Sequence, residues 1–131
     1  MSSQSVVLHI QIIDHLDNEQ SQSYDLLAQS QLNPRSYSYT EQDGSTQVKL
    51  IIDHDSISLS RHGSWKTNII FKSLGLGTFK VISDMGEMRG DVKLLKSTIT
   101  SDIIQLNYQL IMDRSVITHQ TLTYTIRGAQ A

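Results

Sequence analysis

Apolar and polar residues alternate with a period of two along most of this chain, and turn-forming residues interrupt the alternation at short intervals. The pattern is clearest in segments 104–112 and 122–126, where every second residue is aliphatic or aromatic. Alternation of this kind predicts half-buried β-strands, because successive side chains of a strand point to opposite faces. About ten such segments follow one another at spacings of roughly 8–12 residues, which is typical of an all-β barrel or sandwich.

Short turn segments separate the predicted strands, among them Asp43-Gly44, Asp84-Met85-Gly86 and Asp113-Arg114-Ser115. Connections this short cannot cross over a sheet, so successive strands should pair as antiparallel neighbours. A meander with one apolar face buries that face and its edge strands by closing on itself. We therefore predict a single closed up-and-down antiparallel β-barrel of about 8–10 strands with little or no helix. The polar segment 14–22 is the longest predicted connection and the best place for a single helical turn.

Composition agrees with this fold and excludes several classes of function. The chain has 31 β-branched residues (Val, Ile and Thr) and three alanines, a ratio that favours sheet over helix. Its 131 residues fit one domain spanning 1–131. The lack of cysteine excludes disulfides, thiolate metal ligands and a thiol nucleophile. A net charge of −2, with no signal peptide or membrane helix in the sequence, predicts neither a nucleic-acid nor a membrane partner.

The aromatic residues share the alternation phase of the aliphatic residues in their own strands, so we predict that all of them point into the barrel. They are Tyr24, Tyr37, Tyr39, Trp65, Phe71, Phe79, Tyr108 and Tyr124. Barrels of about eight strands have an interior that side chains just fill or that holds one small ligand. The aromatic residues therefore form either a packed core or the lining of a pocket at one end. Buried tyrosine hydroxyls need hydrogen-bond partners, which is compatible with a partly hydrated interior.

Glu41 and Arg61 are charged residues that also share the predicted inward phase. A buried charge is costly unless it is paired, so we expect an ion pair between them near the rim of the barrel. In one interpretation the pair stabilises a corner of the barrel or the register of its strands. In the other, Arg61 binds a carboxylate or phosphate through two hydrogen bonds and Glu41 orients the arrangement.

Motifs for metal binding or catalysis are weak. Asp53-His54-Asp55, and Asp14-His15 with Asp17, lie at predicted turns, where aspartate is favoured for its local backbone hydrogen bonds. The sequence has none of the serine or metal motifs of hydrolases, and Gly75-Leu76-Gly77 lacks the third glycine of a dinucleotide-binding loop. We therefore predict no catalytic residue, no metal ligand and no cofactor.

The ordered set of strands and turns resembles the YwiB-like family, small bacterial proteins of uncharacterised function with a calycin-type (lipocalin-like) barrel. The resemblance covers about Tyr37 to Gly128. It rests on Tyr39-Thr40-Glu41 before an Asp-Gly turn, on 57–63 (ISLSRHG) with Phe71 beyond it, on the Gly86 turn, and on the pair of segments 104–108 (IQLNY) and 122–124 (LTY). One departure is that Phe79 and Val81 occupy a region where the family commonly has a tyrosine. The resemblance implies a cytoplasmic barrel with Glu41 and Arg61 at family-type positions, and it implies no reaction.

Three functions are compatible with the sequence. The first is a non-enzymatic barrel that binds a small molecule inside or at one mouth, as a monomer or weak homodimer. The second is a protein-interaction module with a fully packed interior. The third is an enzyme with acid–base groups at the barrel rim. The candidate ligand-binding residues for the first are Tyr37, Tyr39, Glu41, Arg61, Tyr108 and Tyr124.

Overall fold

Ten β-strands and no helix make up residues 3–128, the part of the chain that the computed structural model describes. The strands are β1 (Gln4–Asp14), β2 (Gln20–Leu32), β3 (Arg35–Thr40), β4 (Gln47–Ile52), β5 (Ser56–His62), β6 (Lys66–Lys72), β7 (Gly77–Ser83), β8 (Gly86–Ile99), β9 (Ile103–Met112) and β10 (Ser115–Gly128). Among these residues there is consequently no helix long and apolar enough to cross a membrane.

Each strand pairs antiparallel with the next, and the first strand pairs with the last to close the barrel. The closing seam runs from Val6 opposite Gly128 to Asp14 opposite Gln120. Closure gives every strand a partner on both sides, although residues 20–27 of β2 and 93–99 of β8 extend past the strands β3 and β7 that flank them. The predicted all-β, up-and-down antiparallel barrel is confirmed.

The two ends of the barrel are distinct, and we name them by their loops. The mouth carries the connections 15–19, 41–46, 63–65, 84–85 and 113–114, and the base carries 33–34, 53–55, 73–76 and 100–102. Asp43-Gly44 forms part of a mouth turn, where Gly44 has a φ of 78°, as the Asp-Gly pair predicts. Asp53-His54-Asp55 forms a turn at the base, and no cluster of three potential metal ligands occurs within residues 3–128.

The core consists of the inward residues of the strands, in the phase that the alternation predicts. Leu8, Leu50 and Leu106 are fully buried, and Phe71 packs edge-on against Tyr108 with ring centroids 4.9 Å apart. Phe71 and Leu106 lie in the halves of their strands nearer the base. Strand contacts are equally close, since Gly77 and Gly90 are positions where an added Cβ would collide with the neighbouring strand.

Two predictions about the interior and the loops need correction. Trp65 is 57% exposed, although it shares the phase of Thr67 and Ile69. It belongs to the β5–β6 turn, where its carbonyl accepts a hydrogen bond from the Gly63 amide (3.0 Å), and beyond the wall no opposite strand can bury its ring.

The segment 14–22 contains neither a helical turn nor the longest connection. β1 continues to Asp14 and β2 begins at Gln20, because the backbones of these polar residues pair with each other. Only 15–19 form the turn, which is shorter than the mouth loop 41–46. Polar side chains at these positions thus do not end the strand, since the backbone alone supplies the ladder of hydrogen bonds.

Candidate functional site

A cavity of about 390 Å³ opens at the mouth of the barrel. It lies within the size range of small-molecule sites, which start at roughly 300 Å³. Its lining residues come from eight of the ten strands and from loop 41–46: Ile10, Ile12, Gln22, Tyr24, Tyr39, Glu41, Val48, Leu59, Arg61, Thr67, Ile69, Tyr108, Leu110, Thr118, Gln120, Leu122 and Tyr124.

The lining divides into an apolar part and a polar part. Aliphatic side chains such as Ile10, Leu59 and Ile69 are buried and lie three or four residues from the mouth ends of their strands. Polar side chains such as Gln22 and Thr67 lie nearer the strand ends at the mouth. An apolar enclosure with a few convergent polar groups is the usual composition of a small-molecule site.

Glu41 and Arg61 form the expected ion pair at the mouth. The Arg61 Nε donates to Glu41 Oε1 (2.6 Å) and the Arg61 Nη2 donates to Glu41 Oε2 (2.9 Å). The carboxylate is the more enclosed partner, with 19% of the Glu41 side chain exposed against 46% for Arg61. Two parallel hydrogen bonds fix the planes of both groups, so the pair presents one defined surface to the cavity.

The turn after β3 positions Glu41. The Glu41 amide donates to the Thr46 carbonyl (2.9 Å), and the Gly44 amide donates to the Glu41 carbonyl (3.0 Å). Within this turn the Asp43 carboxylate accepts hydrogen bonds from the amides of Ser45 (2.9 Å) and Thr46 (2.8 Å) and from the Thr46 hydroxyl. These hydrogen bonds fix the backbone of loop 41–46, and the loop in turn holds Glu41 in place at the mouth.

These hydrogen bonds make Asp43 a source of acid sensitivity. The Thr46 hydroxyl and the two amides hold the pKa of Asp43 at about 2, below its ordinary 3.8. Between these pH values the unfolded chain binds more protons at this site than the folded chain, so the stability from Asp43 is lost as the pH falls from about 4 to 2. We expect Asp43→Asn to lose less free energy of unfolding over this interval than the native protein, measured by urea denaturation at pH 4, 3 and 2. Equal losses in the two proteins would contradict this role.

Tyrosine hydroxyls provide the deeper polar groups of the cavity. Those of Tyr39 and Tyr124 are hydrogen-bonded to each other (2.9 Å), and the Tyr108 hydroxyl donates to Gln120 Oε1 (2.8 Å). Burial raises the pKa of Tyr108 to about 12, and burial also raises the pKa of Tyr39 and Tyr124. All three hydroxyls therefore stay uncharged at neutral pH and act as neutral donors and acceptors.

Five of the six candidate ligand-binding residues meet in this cavity: Tyr39, Glu41, Arg61, Tyr108 and Tyr124. Tyr37 does not line the cavity, because it lies two residues closer to the base than Tyr39 in β3. Its hydroxyl accepts a hydrogen bond from the Arg35 Nε (2.8 Å), and Arg35 in turn donates to the Ser101 carbonyl (3.2 Å) in a base loop. Tyr37 thus belongs to the structure of the opposite end.

Five polar lining residues were not among the candidates: Gln22, Tyr24, Thr67, Thr118 and Gln120. Tyr24 is predicted only as one of the inward aromatic residues. Three of the others are recognisable in the sequence, since Gln22, Thr67 and Gln120 each precede an inward apolar residue by two positions. The inward phase thus continues through polar residues as a strand approaches the mouth. Thr118 is different, because a register shift in β10 between Val116 and Thr118 determines its orientation.

The histidines lie outside this cavity. On the outer wall His9 contacts Asp25 (Nδ1–Oδ1 2.6 Å), and His15 contacts the Thr121 hydroxyl (2.7 Å) and stacks near His119. His119 Nε2 also contacts Asn107 Oδ1 (3.1 Å). These contacts join neighbouring strands across the wall and account for His9 and His119 at outward positions.

Comparison with known proteins identifies the fold. No family model matches the chain, and no curated protein matches it. Among solved structures, the YwiB protein from Bacillus subtilis is similar, with a TM-score of 0.75 at 17% sequence identity. The match covers 98% of this chain and 94% of that chain. The barrel expected from the YwiB-like resemblance is therefore confirmed as a fold.

Proposed function

We propose that this chain is a non-enzymatic binding protein that holds one small molecule in the cavity at the mouth of its barrel. The observation that carries the proposal is the cavity itself, which is about 390 Å³ in volume and combines an apolar wall with polar groups at the mouth and tyrosine hydroxyls deeper inside. A close-packed interior would have favoured the interaction module instead. The paired strands that supply most of the lining also reduce the ordering cost of binding.

Acid–base chemistry has less support at this site. The groups in the cavity with a clearly shifted pKa are tyrosines, and burial moves their pKa upward, away from neutrality. A general acid or base acting near pH 7 needs a pKa close to that value. We therefore assign these hydroxyls to recognition of a ligand.

The test uses N-phenyl-1-naphthylamine, an uncharged probe whose fluorescence rises in apolar surroundings. Ile69 is buried and lines the cavity, so Ile69→Phe should fill part of the space and weaken probe binding by about tenfold or more, equivalent to about 1.4 kcal/mol. The measurement is a fluorescence titration at pH 7.

Ile70→Phe is the matched control, because the same substitution one residue later points to the outer wall, where Ile70 is 38% exposed. We expect this variant to bind the probe like the native protein. Equal binding by all three proteins would mean that the probe sits on the surface, and absence of binding to the native protein would equally reject the proposal.

The setting of the protein belongs to the same proposal. The calycin-type classification, the bacterial origin and the cytoplasmic location are what the family resemblance implies. We also propose a monomer or weak homodimer, and the net charge of −2 argues against nucleic-acid and membrane partners. Native mass spectrometry of protein purified from its own host tests the oligomeric state together with the presence of a ligand. The expected spectrum contains one chain with a retained small-molecule mass.

A further inference from the structure

The charged groups that line the cavity cancel each other. Glu41 and Arg61 are the charged residues in the lining, and they carry opposite charges. Two hydrogen bonds of 2.6 and 2.9 Å join them, so each already has its partner before any ligand arrives. The cavity therefore presents a neutral pair at its entrance and no unpaired charge in its lining.

The remaining polar groups of the lining are neutral as well. They are side-chain amides and hydroxyls, contributed by Gln22, Tyr24, Tyr39, Thr67, Tyr108, Thr118, Gln120 and Tyr124. Burial raises the pKa of Tyr24 too, as it does that of the other tyrosines. Groups of this kind can donate to or accept from a ligand, but they cannot neutralise an ionic one.

An ionic ligand would thus be penalised twice. Its own charge would leave water without a free counter-charge, which is costly in an enclosed site. If it took Arg61 for itself, the Glu41 carboxylate, whose side chain is only 19% exposed, would lose both hydrogen bonds to its partner, and a partly buried charge without a partner is unfavourable. A carboxylate that binds Arg61 through Nε and Nη2 faces the second penalty, because Glu41 occupies these donors and has to leave them.

We infer that the molecule this cavity selects is uncharged, with a mostly apolar body and hydrogen-bonding groups at one end, an inference that rests on the binding function proposed above. The apolar body lies against the aliphatic wall, and the polar end meets the amides and hydroxyls near the mouth. The ion pair makes the cavity selective, because a neutral hydrogen-bonding group can bind beside it while Glu41 and Arg61 stay bonded to each other.

The test compares three probes of one chain length at pH 7: 1-octanol, octanoate and octylammonium. Each is titrated against the native protein loaded with N-phenyl-1-naphthylamine, and displacement is read from the loss of fluorescence. We expect octanol to compete at least about tenfold better than either ion. Equal displacement by the three probes, or stronger displacement by octanoate or octylammonium, overturns the inference.

Two variants and their combination test the cause of the selectivity. Glu41→Gln leaves Arg61 without a charged partner, and the apparent affinity of octanoate in the displacement assay should rise by about tenfold. Arg61→Met leaves Glu41 without a charged partner, and the apparent affinity of octylammonium should rise by a similar factor. The double variant E41Q/R61M has no charge in the lining and should prefer octanol again. Unchanged displacement by octanoate in Glu41→Gln and by octylammonium in Arg61→Met would contradict the role of the pair.

The two proposals fail in different ways. If N-phenyl-1-naphthylamine does not enter the cavity, as judged by Ile69→Phe and Ile70→Phe, the binding function is rejected and the inference falls with it. If that probe binds in the cavity and an ion displaces it better than octanol, the binding function stands and the neutral ligand class is rejected.

Discussion

Replacement of Gly77 by alanine is expected to destabilise the barrel by about 3 kcal/mol or more, at the upper end of the range for overpacking. An added Cβ would lie 2.8 Å from the carbonyl carbon of Ile70 and closer still to its oxygen. Both atoms belong to the backbone of the adjacent strand, so no side-chain rotation can relieve the contact. β6 and β7 would have to separate near the base, beside the buried Phe71. The measurement is urea denaturation of Gly77→Ala against the native protein.

Gly75→Ala is the control, because Gly75 lies two residues before Gly77, in the connection 73–76 that leads into β7. Gly75 has a φ of 81° and no atom within 4 Å of an added Cβ, so alanine there costs only the strained backbone conformation, about 1–2 kcal/mol. A Gly77→Ala loss no larger than that of Gly75→Ala would show that the strands can separate freely. That result would contradict the close strand contact at this position.

Replacement of Phe71 by alanine is expected to cost about 3–5 kcal/mol of unfolding free energy. Phe71 is 1% exposed and packs edge-on against Tyr108, so its loss leaves a void that the closed wall cannot collapse to fill. Because the free energy of unfolding of a single domain is about 5–15 kcal/mol in total, the variant should unfold at a much lower urea concentration.

Phe71→Leu and Lys72→Ala are the controls for this prediction. Leucine keeps most of the apolar volume and should cost about 1.5 kcal/mol or less, while Lys72 is exposed on the outer face and its replacement should change stability by less than about 0.5 kcal/mol. Similar losses in Phe71→Ala and Lys72→Ala would mean that the interior near the base is loosely packed.

The fold was predictable because each strand carries its own orientation in its pattern. Alternation around Leu106 and Tyr108 identifies the inward face without knowledge of the neighbours, and turns such as Asp43-Gly44 mark where the chain reverses. The exceptions are local. Trp65 follows the right phase but lies past the end of the wall, and a register shift between Leu94 and Lys96 changes which face of β8 is inward.

The candidate site was less predictable because depth along the barrel is not encoded in the alternation. Tyr37 and Tyr39 share a face of one strand, yet only Tyr39 reaches the cavity. The hydrogen bond between Tyr39 and Tyr124 joins residues from strands that are not neighbours, and it depends on the stagger of the closed wall. Glu41 and Arg61 were predictable as a pair, since an inward charge needs a partner and each had one candidate.

Closure of the wall also means that the strand pairings differ greatly in the sequence separation they have to bridge during folding. Nine strand pairings join consecutive strands, and the tenth joins β1 to β10, where Val6 meets Gly128. Hairpins form within about 1–10 μs, whereas contacts between distant parts of a chain must first overcome the entropy of a long closed loop. The seam between the first and last strands is therefore the slow event, and the cavity has its complete lining only after it forms, because Ile10 and Tyr124 lie on its two sides.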